Sequence, residues 1–329
     1  MILTLNDIKK ITFGAVSVYE NNGFVIFERF TEKQKDCYKK YRTLSLHNKV
    51  NATASVKIAF KSNTDYLKFD YILDYASSRE YAYFDVLVNG NIVYSTGTDK
   101  IDVSEKILEV NFEKGEKSIE IYFPWSMRAK IKNFEISDNA SIIPKKHSKI
   151  MLAYGDSITQ GYDSIHPSYA YINQLAKALD SELFNKAIGG DTFFPELLEA
   201  KDGFFPDIVT VAYGTNDWLK CSYGEFVFNT KTFFEMLYEN YKNTKIYVIT
   251  PIWKLSEEDG TKPMVNISFA EHRLFIKNTA LQYENITVID GDYLVPHDTA
   301  LFADKILHPN DDGFSFYSKN LIEKIKKLF

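Results

Sequence analysis

The stretch IMLAYGDSITQGYD, residues 150–163, places an apolar run directly before a glycine, an aspartate, a serine and a second glycine. An apolar run that ends in a turn is typical of a strand buried on both faces of a parallel sheet. Ligands of open α/β sheets bind at the carboxyl ends of the strands. Ser157 is therefore a candidate functional residue.

The spacing around Ser157 excludes three common glycine-rich motifs. A phosphate-binding loop needs four residues between its glycines and then a lysine, whereas five residues separate Gly155 from Gly161 and Tyr162 follows. The G-x-G-x-x-G spacing of dinucleotide-binding turns is absent. The nucleophile elbow of α/β-hydrolases needs a glycine where Thr159 stands.

The carboxyl-terminal half of the chain alternates apolar runs with longer stretches that have helical patterns. The runs are KIMLAYG, DIVTVAYG, KIYVITP and ITVIDG, and the predicted helices cover residues 168–179, 225–242 and 314–327. Strands that are apolar on both faces and separated by helices predict a parallel sheet covered on both sides.

The amino-terminal half, from residue 14 to about residue 136, has the two-residue period of half-buried strands. Leu67, Phe69, Tyr71 and Leu73 alternate with more polar positions. Asn89-Gly90 and Gly115 lie between such runs and predict hairpin turns, because these residues tolerate positive φ. Strands recurring about every ten residues predict a β-sandwich of the jelly-roll type.

Residues 137–149 are polar, contain Pro144 and end the alternation. They predict a boundary between an all-β domain, residues 1–146, and an α/β domain, residues 147–329. A length of 329 residues suits two domains.

Composition narrows the classes of partner and the compartment. The chain has 45% hydrophobic and 25% charged residues and a net charge of -5, so no broad positive field attracts nucleic acid or an anionic membrane. Cys37 and Cys221 lie in different predicted domains and are expected to be reduced thiols. The start of the sequence has no signal-peptide pattern, so a cytoplasmic protein is expected.

Four short blocks in the predicted α/β domain resemble, in order, those of the SGNH (GDSL) hydrolases. They are GDSITQG with Ser157, NKAIGGDT with Gly190, YGTND with Asn216 and LHPND with His308. Each falls in a loop after a predicted strand or before a predicted helix. The resemblance implies a flavodoxin-like, three-layer αβα domain.

The resemblance also implies roles for these residues. Ser157 is the nucleophile, and His308 is the base that removes its proton. The backbone N–H groups of Ser157 and Gly190 and the side-chain amide of Asn216 form the oxyanion hole. Asp191 and Asp217, which adjoin the donors, are expected to brace their loops through hydrogen bonds.

The acidic member of the catalytic set departs from the family pattern. The family aspartate usually stands three residues before the histidine, where this chain has Lys305, and the nearest carboxylate is Asp304, four residues before His308. A helical turn would bring positions i and i+4 together, so Asp304 is favoured as the third catalytic residue. The alternative is a Ser-His dyad oriented by a backbone carbonyl.

The two-domain arrangement is similar to that of certain carbohydrate esterases. It implies a serine esterase that removes O-acyl groups, O-acetyl foremost, from carbohydrates without a metal or organic cofactor. Trp218 and Trp253 follow predicted strands and are candidates for stacking on a sugar ring. The alternatives are a thioesterase or lysophospholipase with a longer acyl groove, and a catalytically weak carbohydrate-binding protein. The sequence leaves a homo-oligomer open.

Overall fold

We describe the protein from a computed structural model, in which residues 1–100, 102–255 and 260–327 are described. The chain divides into two compact units. Unit 1 comprises Met1–Thr31, Asn48–Ser148 and Ile165–Ser168, and unit 2 comprises Glu32–His47, Lys149–Ser164 and Tyr169–Phe329. A single cut near residue 146 would therefore separate the units except for residues 32–47 and 165–168, which belong to the opposite unit.

The helices and strands of the described residues are numbered in chain order. The helices are α1 Leu5–Ile11, α2 Glu32–Tyr41, α3 Leu44–Lys49, α4 Ser157–Gln160, α5 Tyr171–Ala178, α6 Thr215–Lys220, α7 Tyr223–Asn240, α8 Phe269–Ala280 and α9 Asp311–Lys326. The strands are β1 Thr12–Phe13, β2 Ser17–Asn21, β3 Phe24–Glu28, β4 Lys57–Ser62, β5 Tyr66–Tyr75, β6 Ala82–Val88, β7 Asn91–Thr98, β8 Lys106–Asn111, β9 Lys117–Tyr122, β10 Met127–Ile136, β11 Ile143–Pro144, β12 Lys149–Gly155, β13 Ser181–Asn185, β14 Ile208–Ala212, β15 Lys245–Ile249 and β16 Ile286–Ile289. No described helix is both long and apolar enough to cross a bilayer.

Unit 1 contains two antiparallel sheets with a common apolar core. One sheet has the order β1-β4-β9-β6-β7, with β11 paired to β4, and the other has the order β2-β3-β10-β5-β8. The side chains of β5 alternate as predicted, and Phe69 of that strand lies 5.9 Å from Phe84 of the other sheet between ring centroids. Burying each such side chain contributes about 1.5 to 3 kcal/mol. The predicted all-β region is confirmed, while the jelly-roll topology stays a prediction.

The two predicted hairpin turns of unit 1 have different outcomes. Asn89 and Gly90 both have positive φ and join β6 to β7, which pair with each other, so this prediction is confirmed. Gly115 also has positive φ, but β8 pairs with β5 whereas β9 pairs with β4 and β6. The turn at Gly115 therefore connects the two sheets, and the hairpin prediction was wrong. A turn signal gives the local backbone shape but not the partner of the next strand.

Unit 2 contains a five-stranded parallel sheet in the order β13-β12-β14-β15-β16. Numbered within the unit, this order is 2-1-3-4-5, which is the flavodoxin-like order. Met151 and Ala153 of β12 share a core with Tyr171 of α5, while Tyr154, the next residue, contacts Phe233 of α7. Because alternate side chains of a strand point to opposite faces, helices cover both faces of the sheet. The predicted α/β domain is confirmed.

Strand β13 and helix α8 are among the elements of unit 2 that the apolar patterns did not predict. Strand β13 is short, and helix α8 begins at a capping box in which Ser268 and Glu271 each accept from the other's backbone N–H. Strand β12 lies between β13 and β14. The chain continues from β12 to β13 on one side and then crosses to β14 on the other side, so the order of the strands reverses at β12. Ligands of such sheets bind at this switch point.

Candidate active site

Ser157 lies at the carboxyl end of the central strand β12, as the first residue of α4. Asp156 precedes it and caps the helix by accepting a hydrogen bond from Ile158 N at 3.0 Å. Gly155 is required because a Cβ there would lie 2.4 Å from the Thr159 hydroxyl oxygen. Gly161 ends the turn with φ of 103°, a conformation that favours glycine. The GDSITQG block is thus a strand-to-helix turn that holds the serine in place.

Gly190 and Asn216 follow the two strands that flank β12. Gly190 lies in the loop after β13 with φ of 90°, and Asn216 lies near the start of α6, after β14. The Asn216 amide nitrogen donates to the Asp191 carbonyl oxygen at 3.0 Å. Among the described residues, the N–H of Gly190 has no protein acceptor. Three neighbouring strand ends therefore bring the three block residues to one edge of the sheet.

His308 lies in a loop before α9 and connects the serine to a carboxylate. Its Nε2 is 2.8 Å from the Ser157 Oγ, and its Nδ1 is 2.7 Å from the Asp304 Oδ2. Since the carboxylate can only accept, Nδ1 carries the proton and Nε2 accepts from the serine hydroxyl. The loop is closed by the bridge between Phe302 and Pro309.

Asp304 reaches His308 through a tight loop rather than the helical turn that the four-residue spacing suggested. Its Oδ1 accepts from the backbone N–H groups of Ile306, Leu307 and His308 at 2.8 to 3.0 Å. Lys305 has φ of 62°, which winds the backbone around the carboxylate. The extra residue relative to the family spacing is thus accommodated by one left-handed residue.

These contacts form a continuous chain from a hydroxyl nucleophile to a base and then to an acceptor that orients the base. This is the arrangement on which serine-dependent acyl transfer depends. A model of the family of GDSL-like lipases and acylhydrolases matches residues 153–315, which include all four blocks. Residues 153–315 form a GDSL-like lipase/acylhydrolase domain. The chain is accordingly a carboxylic ester hydrolase by family.

Solved structures share the fold of the whole chain, including the part outside the GDSL domain. The salicylyl-acyltransferase SsfX3 of a tetracycline biosynthetic pathway has a TM-score of 0.82 and 19% identity, covering 96% of this chain and 94% of its own. A family two carbohydrate esterase from Clostridium thermocellum, in complex with cellohexaose, has a TM-score of 0.65 and 14% identity over 84% and 93%. An acetyl xylan esterase from Butyrivibrio proteoclasticus has a TM-score of 0.58 and 16% identity over 83% and 90%. No curated protein sequence matches the chain significantly.

The carboxylates of the GDSL domain site have opposite electrostatic environments. Although partial burial works the other way, hydrogen bonds from His308, Leu307 and Ile306 hold the pKa of Asp304 well below its ordinary value. Burial raises the pKa of Asp156 to about 6 and that of Asp217 to about 7. Asp304 is therefore ionised at neutral pH, as the partner of an imidazolium must be.

Asp163, which was not among the predicted site residues, has its Oδ2 3.5 Å from the Nδ1 of His308. Asp163 is buried, has φ of 69° and lies two residues after the first block, in the left-handed turn that follows Gly161. Asp163, Asp304 and His308 also have ligand atoms close enough together to hold a metal ion. Such an ion would compete for the Nδ1 that faces Asp304, so the geometry favours a hydrogen-bonded base over a metal ligand.

The two tryptophans of the GDSL domain lie in packed positions, with only 4% of each residue exposed. Trp218 donates from Nε1 to the Ile267 carbonyl at 2.8 Å, and the Lys254 ammonium lies 3.9 Å from its ring centroid. Trp253 stacks on His297 at 5.0 Å between centroids. These contacts occupy the ring faces that a sugar would need, so the geometry does not support the stacking role expected from the sequence.

Asp191 and Asp217 hold the loop after β13. Asp217 Oδ1 accepts from Phe193 N at 3.0 Å, and the Asp191 carboxylate accepts from Thr192 N at 2.9 Å. Both carboxylates are fully buried. These contacts are those that a loop-bracing role requires.

Proposed function

We propose that the protein is a serine esterase that removes O-acyl groups, acetyl foremost, from carbohydrates through an acyl-enzyme. The observation that carries the proposal is the hydrogen-bonded chain from Ser157 through His308 to Asp304, at 2.8 and 2.7 Å. The mechanism that follows needs no metal or organic cofactor.

In the first half of the reaction, the Ser157 Oγ attacks the ester carbonyl carbon and its proton passes to Nε2 of His308. The tetrahedral intermediate then collapses, the bond to the sugar oxygen breaks, and that oxygen takes the proton from Nε2. Asp304 stays ionised and stabilises the imidazolium that exists between the two transfers. The sugar leaves with a free hydroxyl, and the acyl group stays on the serine.

Negative charge develops on the former carbonyl oxygen in both halves of the reaction. The donors that we assign to this oxygen are the N–H of Ser157 at the start of α4, the N–H of Gly190 and the second hydrogen of the Asn216 amide. Preorganised donors of this kind stabilise the transition state more than the ground state.

In the second half of the reaction, His308 removes a proton from water, and the hydroxide attacks the acyl carbon and releases the carboxylic acid. A hydroxyl acceptor could take the acyl group in place of water, as the name of the structurally similar salicylyl-acyltransferase indicates for that protein. Support for a carbohydrate substrate comes from the carbohydrate esterases of the same two-part fold. A longer acyl group, as in thioesterases or lysophospholipases, is the competing substrate class.

Initial rates on aryl esters from acetate to decanoate test the proposal. We expect turnover that is fastest on acetate and falls with chain length, and no turnover above background with Ser157→Ala. A maximum at octanoate or decanoate would favour the lysophospholipase alternative. A wild type without activity on the whole series would favour the carbohydrate-binding alternative. Release of acetate from acetylated oligosaccharides would then separate sugar esters from simple aryl esters.

A further inference from the structure

Helix α2 presents a buried polar face within unit 2. Gln34, Tyr38 and Arg42 follow one another at intervals of four residues, so they lie on the same side of the helix. The helical hydrogen bonding continues to Arg42, whose N–H donates to the Tyr38 carbonyl at 3.0 Å. Gln34 and Tyr38 are almost fully buried. Buried polar side chains require specific partners, which identify what this helix holds.

Two of these side chains bind the Asp191 carboxylate from opposite oxygens. The Tyr38 hydroxyl donates to Oδ2 at 2.8 Å, and the Arg42 Nε lies 3.0 Å from Oδ1. The Arg42 guanidinium also lies 3.9 Å from the Phe194 ring centroid, and its Nη2 donates to the Phe193 carbonyl at 3.3 Å. The loop after β13 is thereby held by the planar, charged guanidinium of Arg42 and by the neutral hydroxyl of Tyr38.

Asp191 lies between two of the proposed oxyanion donors. Gly190, whose N–H is one donor, directly precedes Asp191. The carbonyl oxygen of Asp191 accepts from the Asn216 amide, which is the other donor. A rotation of the Asp191 backbone would therefore release the Asn216 side chain and disturb the Gly190–Asp191 peptide, which contacts from Ile188 and Lys220 also hold. No other described contact of Asn216 fixes its amide in this way.

The environment of Asp191 makes its partners indispensable. Burial raises the pKa of Asp191, and the Arg42 charge, the Tyr38 hydroxyl and the Thr192 N–H oppose that effect. Removal of one partner would leave a buried carboxylate incompletely compensated, so it would take up a proton or move towards water. Either response changes the hydrogen bonds that hold the loop.

We infer that Tyr38 and Arg42 are positioning residues for the esterase reaction, which hold Asp191 so that Gly190 and Asn216 present their donors to the oxyanion. The inference rests on the proposed function. Neither residue touches the reacting atoms, and both act through Asp191. Their contribution is therefore to kcat rather than to substrate binding, because the oxyanion exists only near the transition state.

The test compares Tyr38→Phe, Arg42→Lys and Arg42→Ala with Gln34→Leu as the matched control. Gln34 lies on the same helix face, but it bonds Ala200, Asp202 and Lys186 rather than Asp191. We expect Arg42→Ala to lower kcat about tenfold to a hundredfold, the range of a small misplacement of reacting groups, with KM nearly unchanged. Arg42→Lys should recover part of this loss, because it keeps the charge without the fork.

The control variant should lose thermal stability but keep kcat within about twofold, since its contacts do not reach the donors. All rates are measured well below the Tm of each variant. Wild-type kcat values in Tyr38→Phe and Arg42→Ala, or an equal fall in Gln34→Leu, would overturn the inference.

A double-mutant cycle with Asn216→Ala separates positioning from a general structural effect. Asn216→Ala alone should cost about 10² to 10³ in kcat. In that background, Arg42→Ala should cost clearly less than it does in the wild type, since one of the donors that it positions is already gone. Full additivity would overturn the inference. If the wild type hydrolyses esters and the variants are no slower, only the role of Tyr38 and Arg42 is refuted. If the wild type is inactive and no serine-directed probe labels it, the proposed function is refuted as well.

Discussion

Asp156 and Asp304 each stand shortly before a catalytic residue, yet their surroundings have opposite effects on their charge. Asp156 is fully buried and accepts from the N–H of Ile158, so burial raises its pKa to about 6. Asp304 is half-buried and accepts from three backbone N–H groups and from His308, and these bonds outweigh burial and lower its pKa. The number of donors, rather than the residue type or the depth of burial alone, decides which aspartate has the lower pKa.

The surroundings of the two aspartates also differ in backbone structure, and this difference explains which motif has a strict spacing. The block around Ser157 is part of a strand and a helix, where a Cβ at Gly155 would clash with Thr159. The segment before His308 is a loop that is shaped around one carboxylate, so a left-handed residue at Lys305 absorbs an additional position. Spacing is therefore strict where backbone hydrogen bonds of regular elements set the geometry, and looser where a side chain sets it.

The largest expected effect is at Ser157, which lies at the opposite end of the hydrogen-bonded chain from Asp304. Ser157→Ala should abolish labelling by a fluorophosphonate probe, because an activated serine hydroxyl is the group that attacks phosphorus. The measurement is in-gel fluorescence with the denatured wild type as control. Equal labelling of the wild type and the variant would show that Asp304 and His308 do not activate Ser157.

Asp304→Asn should lower kcat by about 10² to 10⁴, because an amide favours the wrong tautomer of His308 and cannot stabilise its cation. Steady-state rates on an aryl acetate measure this effect, with circular dichroism to verify the fold. A loss of less than tenfold in a folded variant would instead support a Ser-His dyad, and the contrast between the two aspartates would have no catalytic meaning.

Asp163→Asn should have a smaller effect, about fivefold in kcat, corresponding to roughly 1 kcal/mol. Asp163 lies 3.5 Å from the His308 Nδ1, beyond the distance to Asp304, so it supports the imidazolium mainly by its charge. The combination with Asp304→Asn shows whether Asp163 replaces the missing acceptor. A double variant no slower than Asp304→Asn alone would show that Asp163 does not contribute to catalysis.

The last effect concerns stability rather than rate, and it distinguishes the two aspartates by pH. Because the pKa of Asp156 is higher in the folded chain, the unfolded chain loses its proton first, and the wild type should lose stability as pH rises from about 4 to about 6. Relative to Asp156→Asn, which keeps the capping oxygen, this loss is roughly 3 kcal/mol. Thermal melts of both proteins from pH 4 to 7 measure it.

Asp304 should show the reverse dependence, which melts of the wild type and Asp304→Asn extended below pH 4 would measure. Its pKa is lower in the folded chain, so its contribution is present above about pH 4 and disappears as pH falls further. A stability difference between wild type and Asp156→Asn that does not vary with pH would contradict the raised pKa of Asp156 and the comparison itself.

The sequence predicted the elements with strong periodicity and the ends of the strands that carry the site. The alternation in β5 and the apolar run of β12 are local patterns, so they could be interpreted without knowledge of the rest of the chain. The order of the strands in unit 2 followed from the block resemblance rather than from periodicity. The positions of Ser157, Gly190, Asn216 and His308 at one sheet edge agree with the order of the four blocks.

What the sequence could not show depends on contacts between distant residues. The turn at Gly115 has a hairpin signal, but pairing between β8 and β5 decides its role. The burial of Trp218 depends on Lys254 and on the Ile267 carbonyl, neither of which is near it in the sequence. Asp304 was favoured for a helical turn that does not form, because the positive φ of Lys305 has no signal in a lysine.

Helix α2 has a consequence for the synthesis of the protein on the ribosome. Tyr38 precedes its partner Asp191 by 153 residues, so at about 5 to 20 residues per second the helix leaves the ribosome on the order of ten to thirty seconds before the loop that it holds. During that interval its polar face has no Asp191 to bind, and the residues of unit 1 on both sides of it are already available to fold. Vectorial synthesis therefore favours completion of unit 2 only after the chain has been made past β13, although α2 was made much earlier.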